Sequence, residues 1–239
     1  MSFDQLSTEI TDLLGLALAP VAITFHADSA PEGVKRFDAP MSQPTEDGRS
    51  GRVPASCVFW SYGHDETFTT VPEDHGNCSV GRFTHGIAPA EAILDKQDVG
   101  TLLEVGWVTM EAFAGVAAKS TAPAAITYGP LGETDVDPDV VLLRITPRQM
   151  MEIADAVDVE FSGKPQCQII PRALESGTIA ASMGCALSRE RIGMGDDELT
   201  VAVPAARFEE LVTALRSVCR ADDAVVGYAA ADKARFVTA

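Results

Sequence analysis

A chain of 239 residues, 46% hydrophobic and 22% charged, is long enough to bury a substantial core as one large domain or two small fused ones. A formal net charge of −17 leaves no basic footprint for nucleic acid or an anionic membrane surface, and no run approaches the roughly 18 apolar residues that cross a bilayer. The start, Met1-Ser2-Phe3-Asp4-Gln5-Leu6, has no basic leader, and the five cysteines are odd in number, so free thiols in a reducing cytoplasm are expected.

Residues 3–18 carry Phe3, Leu6, Ile10, Leu13, Leu14 and Ala17 at helical spacing, and Pro20 ends that amphipathic helix. Val21 to Phe25 reads as a buried strand, and the Pro-, Gly- and Ser-rich residues 28–52 as a long loop or flap. Ala55 to Tyr62 suggests a short helix carrying Cys57, followed by a strand at Thr67–Val71 and a loop with Arg82 and His85. Pro89 to Lys96 looks helical, Gly100 to Met110 is apolar at intervals, and Pro123–Leu131 is a strand running into a turn. Asp139 to Ile145 is a strongly apolar strand, and Pro147 then opens a helix at the position where its missing N–H costs nothing. Leu199 to Val203, Pro204 and a helix to about Arg220 repeat that phrase, and Ala224 to Tyr228 reads as a last strand.

Four cysteines fall in two similar settings. Twenty residues lie between Cys57 and Cys78, seventeen between Cys167 and Cys185, and each pair brackets a short strand-like run. The second cysteine of each pair sits in a tight glycine-containing turn, His75-Gly76-Asn77-Cys78 or Ser182-Met183-Gly184-Cys185, with an arginine four residues later (Arg82, Arg189). The repeated phrase predicts a mixed α/β fold with a mixed sheet. Two diverged halves, about 1–120 and 121–239, would then pack as a single compact unit over 1–239. A pseudo-twofold pairing of such halves would bring the four thiols together.

These same residues carry a family resemblance. Pro20-Val21-Ala22-Ile23, Cys57, Cys78, Pro138-Asp139-Val140-Val141-Leu142, Cys167 and Ser182-Met183-Gly184-Cys185 with Arg189 resemble the cytoplasmic prokaryotic proteins of domain-of-unknown-function family 169, also labelled ArCR. Ser79-Val80-Gly81 departs from the consecutive glycines expected after the first turn cysteine, and Ala186 stands where a glycine is expected. The resemblance covers nearly the whole chain and implies a family whose activity is not established.

Three readings of the thiols stay open. Soft thiolates suit zinc or an iron–sulfur cluster, with Cys57, Cys78, Cys167, Cys185 and His75 as the candidate ligands, although no Cys-x-x-Cys knuckle occurs. In the second reading the chain is a cysteine-dependent enzyme acting on a small anion. Cys185 at the start of a short helix is the reactive thiol, Arg189 and Arg82 hold the anion, Arg191 adds cationic support, and His75 or His85 is the base. The third is a small-molecule binder without chemistry, its pocket lined by Trp60, Tyr62, Trp107 or Tyr128, with self-association open. Cys219 lies on an apolar helical stripe with Phe208, Leu211, Val212 and Leu215 and reads as core.

Overall fold

Ser2 and Gln5 cap each other's backbone at the start of the first helix, and Gly15 in the left-handed conformation ends it. In the computed structural model, which describes residues 1–38, 56–76, 78–233 and 235–236, this helix is α1 (Phe3–Leu14). It is followed by β1 (Val21–His26), α2 (Ser56–Tyr62), β2 (Phe68–Thr70), α3 (Ser79–Thr84), α4 (Ala90–Leu94), α5 (Gln97–Glu104), α6 (Met110–Ala114) and β3 (Ala125–Pro130). The second part of the chain contributes β4 (Val140–Ile145), α7 (Pro147–Ala156), β5 (Glu160–Phe161), α8 (Ile169–Ser176), β6 (Ala180–Ser182), α9 (Ala186–Ile192), β7 (Leu199–Pro204) and α10 (Ala205–Lys233).

The strands form one mixed sheet in the order β2-β3-β1-β4-β7-β6-β5, antiparallel throughout except for the β5–β6 pair. Its centre is the β1–β4 pair, with Ala22 opposite Val141. Continuous apolar runs such as Val140-Val141-Leu142-Leu143 follow from burial on both faces. Val21, Ile23, Val140 and Leu142 point into one core layer under α2, α3 and α8, whereas Ala22, Val141 and Leu143 point into another under α1, α7 and α10. Cys57 and Cys167 belong to the first layer, Cys78 packs against it, and α9 lies on α2, whereas α10 carries Cys219 in the second.

Two expectations are corrected. Residues 224–228 are not a strand but part of α10, because the alanine-rich stretch continues the helix with no proline to stop it. The segment with Arg82 is not a loop: it forms α3, whose first turn is closed by Cys78, the Gly81 N–H donating to its Sγ at 3.3 Å. The flap expected over 28–52 lies, from residue 39 onward, outside the described residues. Before that point Lys35 and Phe37 pair with the backbone of Thr69, and the Phe37 ring meets Phe59 edge-on at 4.8 Å.

Candidate functional site

Cys57 occupies the first turn of α2, Cys78 caps α3, Cys167 lies in a short 3-10 turn (Gln166–Gln168) before α8, and Cys185 precedes α9. The packing of these elements is crossed: α2 lies on α9, and α3 lies on the Gln166–Gln168 turn. Each cysteine of the first pair therefore meets an element of the second. Cys57, Cys78, Cys167 and Cys185 all line one cavity of about 30 Å³, room for on the order of two waters. Arg191, Trp107, Gln166 and Ser188 complete much of its wall.

Polar networks hold both ends of this arrangement. On one side Ser56 and Thr70 lie 3.0 Å from Nδ1 and Nε2 of His75, and the Thr70 hydroxyl donates to the Ile126 carbonyl at 3.2 Å. With the Thr70 proton directed there, Nε2 of His75 is the protonated nitrogen and Nδ1 accepts from Ser56. On the other side the Cys185 N–H donates to Ser188 Oγ at 3.0 Å, Ser188 donates to Gln166, and the Gln166 amide donates to Thr200. Gly184, at φ 82°, supplies the left-handed turn that delivers Cys185 to the start of α9. Gly81 lets α3 approach α2: a Cβ there would sit 2.5 Å from Ser56 Oγ.

The thiols are not electrostatically equivalent. Burial first, and then the neighbouring Cys78 sulfur, push the Cys57 pKa up to about 12 despite the opposing Arg191 charge. Burial and the same neighbour raise Cys167 well above its ordinary range, against a hydrogen bond from Thr84. Arg191 is half-buried. Burial disfavours its charge, yet the sulfurs of Cys78, Cys57 and Cys185 hold its pKa above the usual value. Among the described residues no carboxylate pairs with it.

Several predicted site residues are placed elsewhere. The Arg189 guanidinium donates to the carbonyls of Met183, Gly195 and Glu198, so it fastens the turn around Cys185 and is not in the cavity wall. Arg82 donates to the Pro72 carbonyl at 3.3 Å and plays the same part beside Cys78. His75 and His85 are fully enclosed, and neither lines the cavity. Both nitrogens of His75 are already bonded, which removes it as a ligand, and burial lowers its pKa well below the ordinary histidine range. Of the aromatic candidates, Trp107 lines the cavity, whereas Trp60 and Tyr128 are core. Cys219 is buried on α10 across the sheet. The Gln166–Ser188–Thr200 chain had no sequence signal, because its members are brought together only by tertiary packing.

Among the described residues no group of three or more His, Cys, Asp or Glu side chains is placed to hold a metal ion, and no helix is long and apolar enough to cross a membrane. The molecule is thus an α/β protein with a four-thiol cavity on one face of a mixed sheet. Over residues 9–214 it matches the DUF169 family, described as uncharacterised ArCR, and the chain belongs to that family. No curated protein and no solved structure matches it.

Proposed function

We propose that Cys57, Cys78, Cys167 and Cys185 together hold an iron–sulfur cluster. The reading rests on one observation: four thiols from four separate segments meet on a small cavity whose wall, among the described residues, holds one arginine and no carboxylate. Four thiolates side by side repel one another, and Cys57 and Cys167 stay protonated while nothing compensates them. With a cationic cluster core bound, Cys57 and Cys167 would give up their protons to solvent and ligate as thiolates, and Arg191 would offset part of the remaining negative charge. The core of a cluster is larger than two waters, so binding it would have to widen the present cavity of about 30 Å³. A cluster would spread its thiolates around several irons and so would not require three sulfurs gathered about one point. The described residues offer no such gathering to a single zinc ion. A bound cluster would supply one-electron transfer. The protein's part is to fix the four sulfurs and control access to them.

The strand order supports the duplicated-halves reading that underlies this site. Outward from the central pair the order runs β1-β3-β2 on one side and β4-β7-β6 on the other, with antiparallel neighbours in both. Each half then places one cysteine at the start of its second helix, Cys57 in α2 and Cys167 in the 3-10 turn that leads into α8. The other stands immediately before its third helix, Cys78 before α3 and Cys185 before α9. The reactive-thiol alternative has less beneath it, since Arg189 is engaged by carbonyls and neither histidine lines the cavity.

The test is anaerobic reconstitution with iron and sulfide, followed by metal and sulfide analysis and a visible spectrum. Brown protein with stoichiometric iron is expected. It should be lost on Cys57→Ala, Cys78→Ala, Cys167→Ala or Cys185→Ala and kept in Cys219→Ala, whose thiol lies across the sheet. Circular dichroism and melting curves confirm that each variant is folded. A wild-type protein that takes up no iron, or four variants that all retain it, would overturn the assignment.

A further inference from the structure

A second cavity opens beside the thiols. It measures about 240 Å³, lies between α3, α5 and α9, and shares Cys78 and Arg191 with the thiol cavity. Its other polar groups are Gln97, Asp98 and Thr101 on α5, with Leu102 and Leu187 forming apolar wall. At that size it admits only a small molecule, below the roughly 300–1,000 Å³ of drug-sized pockets.

The charges choose the ligand. Arg191 reaches this cleft without a carboxylate partner among the described residues, in a chain whose net charge is −17. Asp98 is committed inward: the backbone N–H and hydroxyl of Ser79 donate to its two oxygens at 2.9 and 2.7 Å. Its negative charge nevertheless remains in the wall. One arginine facing one fixed carboxylate suits a monoanion and penalises a dianion such as phosphate. We propose that this cleft binds a small monocarboxylate, its charged end on Arg191, its body against Leu102 and Leu187, and its nearest atoms beside Cys78. The proposal goes beyond the cluster reading and does not depend on it.

Iodoacetate tests it directly, because it is itself a small monocarboxylate that alkylates thiols, whereas iodoacetamide is its neutral counterpart. In either reaction the Cys78 sulfur bonds to the reagent CH2, the C–I bond breaks, iodide leaves and the thiol proton goes to solvent. The rates at Cys78 are read by peptide mass spectrometry on the full-length protein, both as isolated and after chelation. The ratio of iodoacetate to iodoacetamide rates should exceed that of 2-mercaptoethanol by about tenfold, from the raised local concentration of anion. It should collapse to the 2-mercaptoethanol ratio in Arg191→Gln, be partly restored in Arg191→Lys, and fall when butyrate competes at millimolar concentration. A wild-type ratio equal to that of 2-mercaptoethanol, with Cys78 still labelled by iodoacetamide, overturns the proposal. If Cys78 resists both reagents, calorimetric titration with butyrate decides: binding lost in Arg191→Gln sustains the site, and no binding overturns it. Tighter binding of inorganic phosphate than of butyrate would overturn the monocarboxylate assignment. Iron analysis reads the cluster and labelling reads the cleft, so each can fail alone.

Discussion

His85 is wholly enclosed, with Nδ1–H donating to the Gly81 carbonyl at 2.8 Å and Nε2 without a partner among the described residues, and burial brings its pKa down to about 4. His75 is lowered in the same direction by burial and by His85 and Arg82 beside it. The sign of the consequence follows from proton counting. Between about pH 6.5 and pH 4 the unfolded chain binds a proton at His85 that the folded chain refuses, so stability falls as pH drops through that window. The loss from His85 amounts to roughly 3 kcal/mol once both forms are protonated. Urea unfolding at pH 7.5, 6 and 5 should show a steeper decline for wild type than for His85→Gln, which keeps a donor for Gly81. Identical slopes would mean that His85 is hydrated in solution. The sequence places His75 and His85 close to Cys78 and invites a ligand or base assignment. What neutralises them is Ser56, nineteen residues from His75, and the Gly81 carbonyl, whose orientation depends on α3. Residue type and spacing were legible here, and bonding partners were not.

At the scale of elements, the thiol site exists because α3 is pressed against α2. A Cβ on Gly81 would meet Ser56 Cβ at 2.9 Å and Cys78 Sγ at 3.4 Å, so Gly81→Ala must spread the two helices or twist Ser56 away from His75. Such overpacking costs about 1–3 kcal/mol, and it should also lower iron uptake because it moves Cys57 relative to Cys78. A Cβ on Gly100, within α5, would meet nothing within 4 Å beyond its own helix among the described residues, and Gly100→Ala should instead stabilise by about 0.5–1 kcal/mol. Urea midpoints of the two variants check the pair, and a Gly81→Ala protein as stable as wild type would show that the contact yields without strain. The strands were readable because burial on both faces leaves unbroken apolar runs such as Val140–Leu143. Helix α3 was not. Ser79-Val80-Gly81-Arg82-Phe83-Thr84 contains mostly weak helix formers, and the turn is held by its Cys78 cap and its packing rather than by propensity.

Across the whole molecule the two core layers have different duties. The layer of α2, α3 and α8 carries the thiol cavity, while α1, α7 and the first half of α10 close the opposite face with Phe208, Leu211, Val212, Leu215 and Cys219. The last residue of that stripe is Cys219, and the family match ends at residue 214. Beyond it α10 continues to Lys233 with Val225, Val226 and Tyr228 exposed at 61%, 46% and 73%. Apolar side chains that remain in water contribute no burial energy, so these turns depend on alanine-rich helix propensity alone. A chain ending after Asp223 should therefore melt within about 2 °C of the full-length protein and take up iron to the same extent. Differential scanning calorimetry and iron analysis on the two forms measure both quantities. A fall of more than about 4 °C, equivalent to at least 1 kcal/mol in a domain of this size, would mean that the exposed turns are covered in solution. Sedimentation of the full-length protein would then have to reveal a second copy lying across Val225 and Tyr228. Helix propensity would in that case not be what holds the final turns of α10.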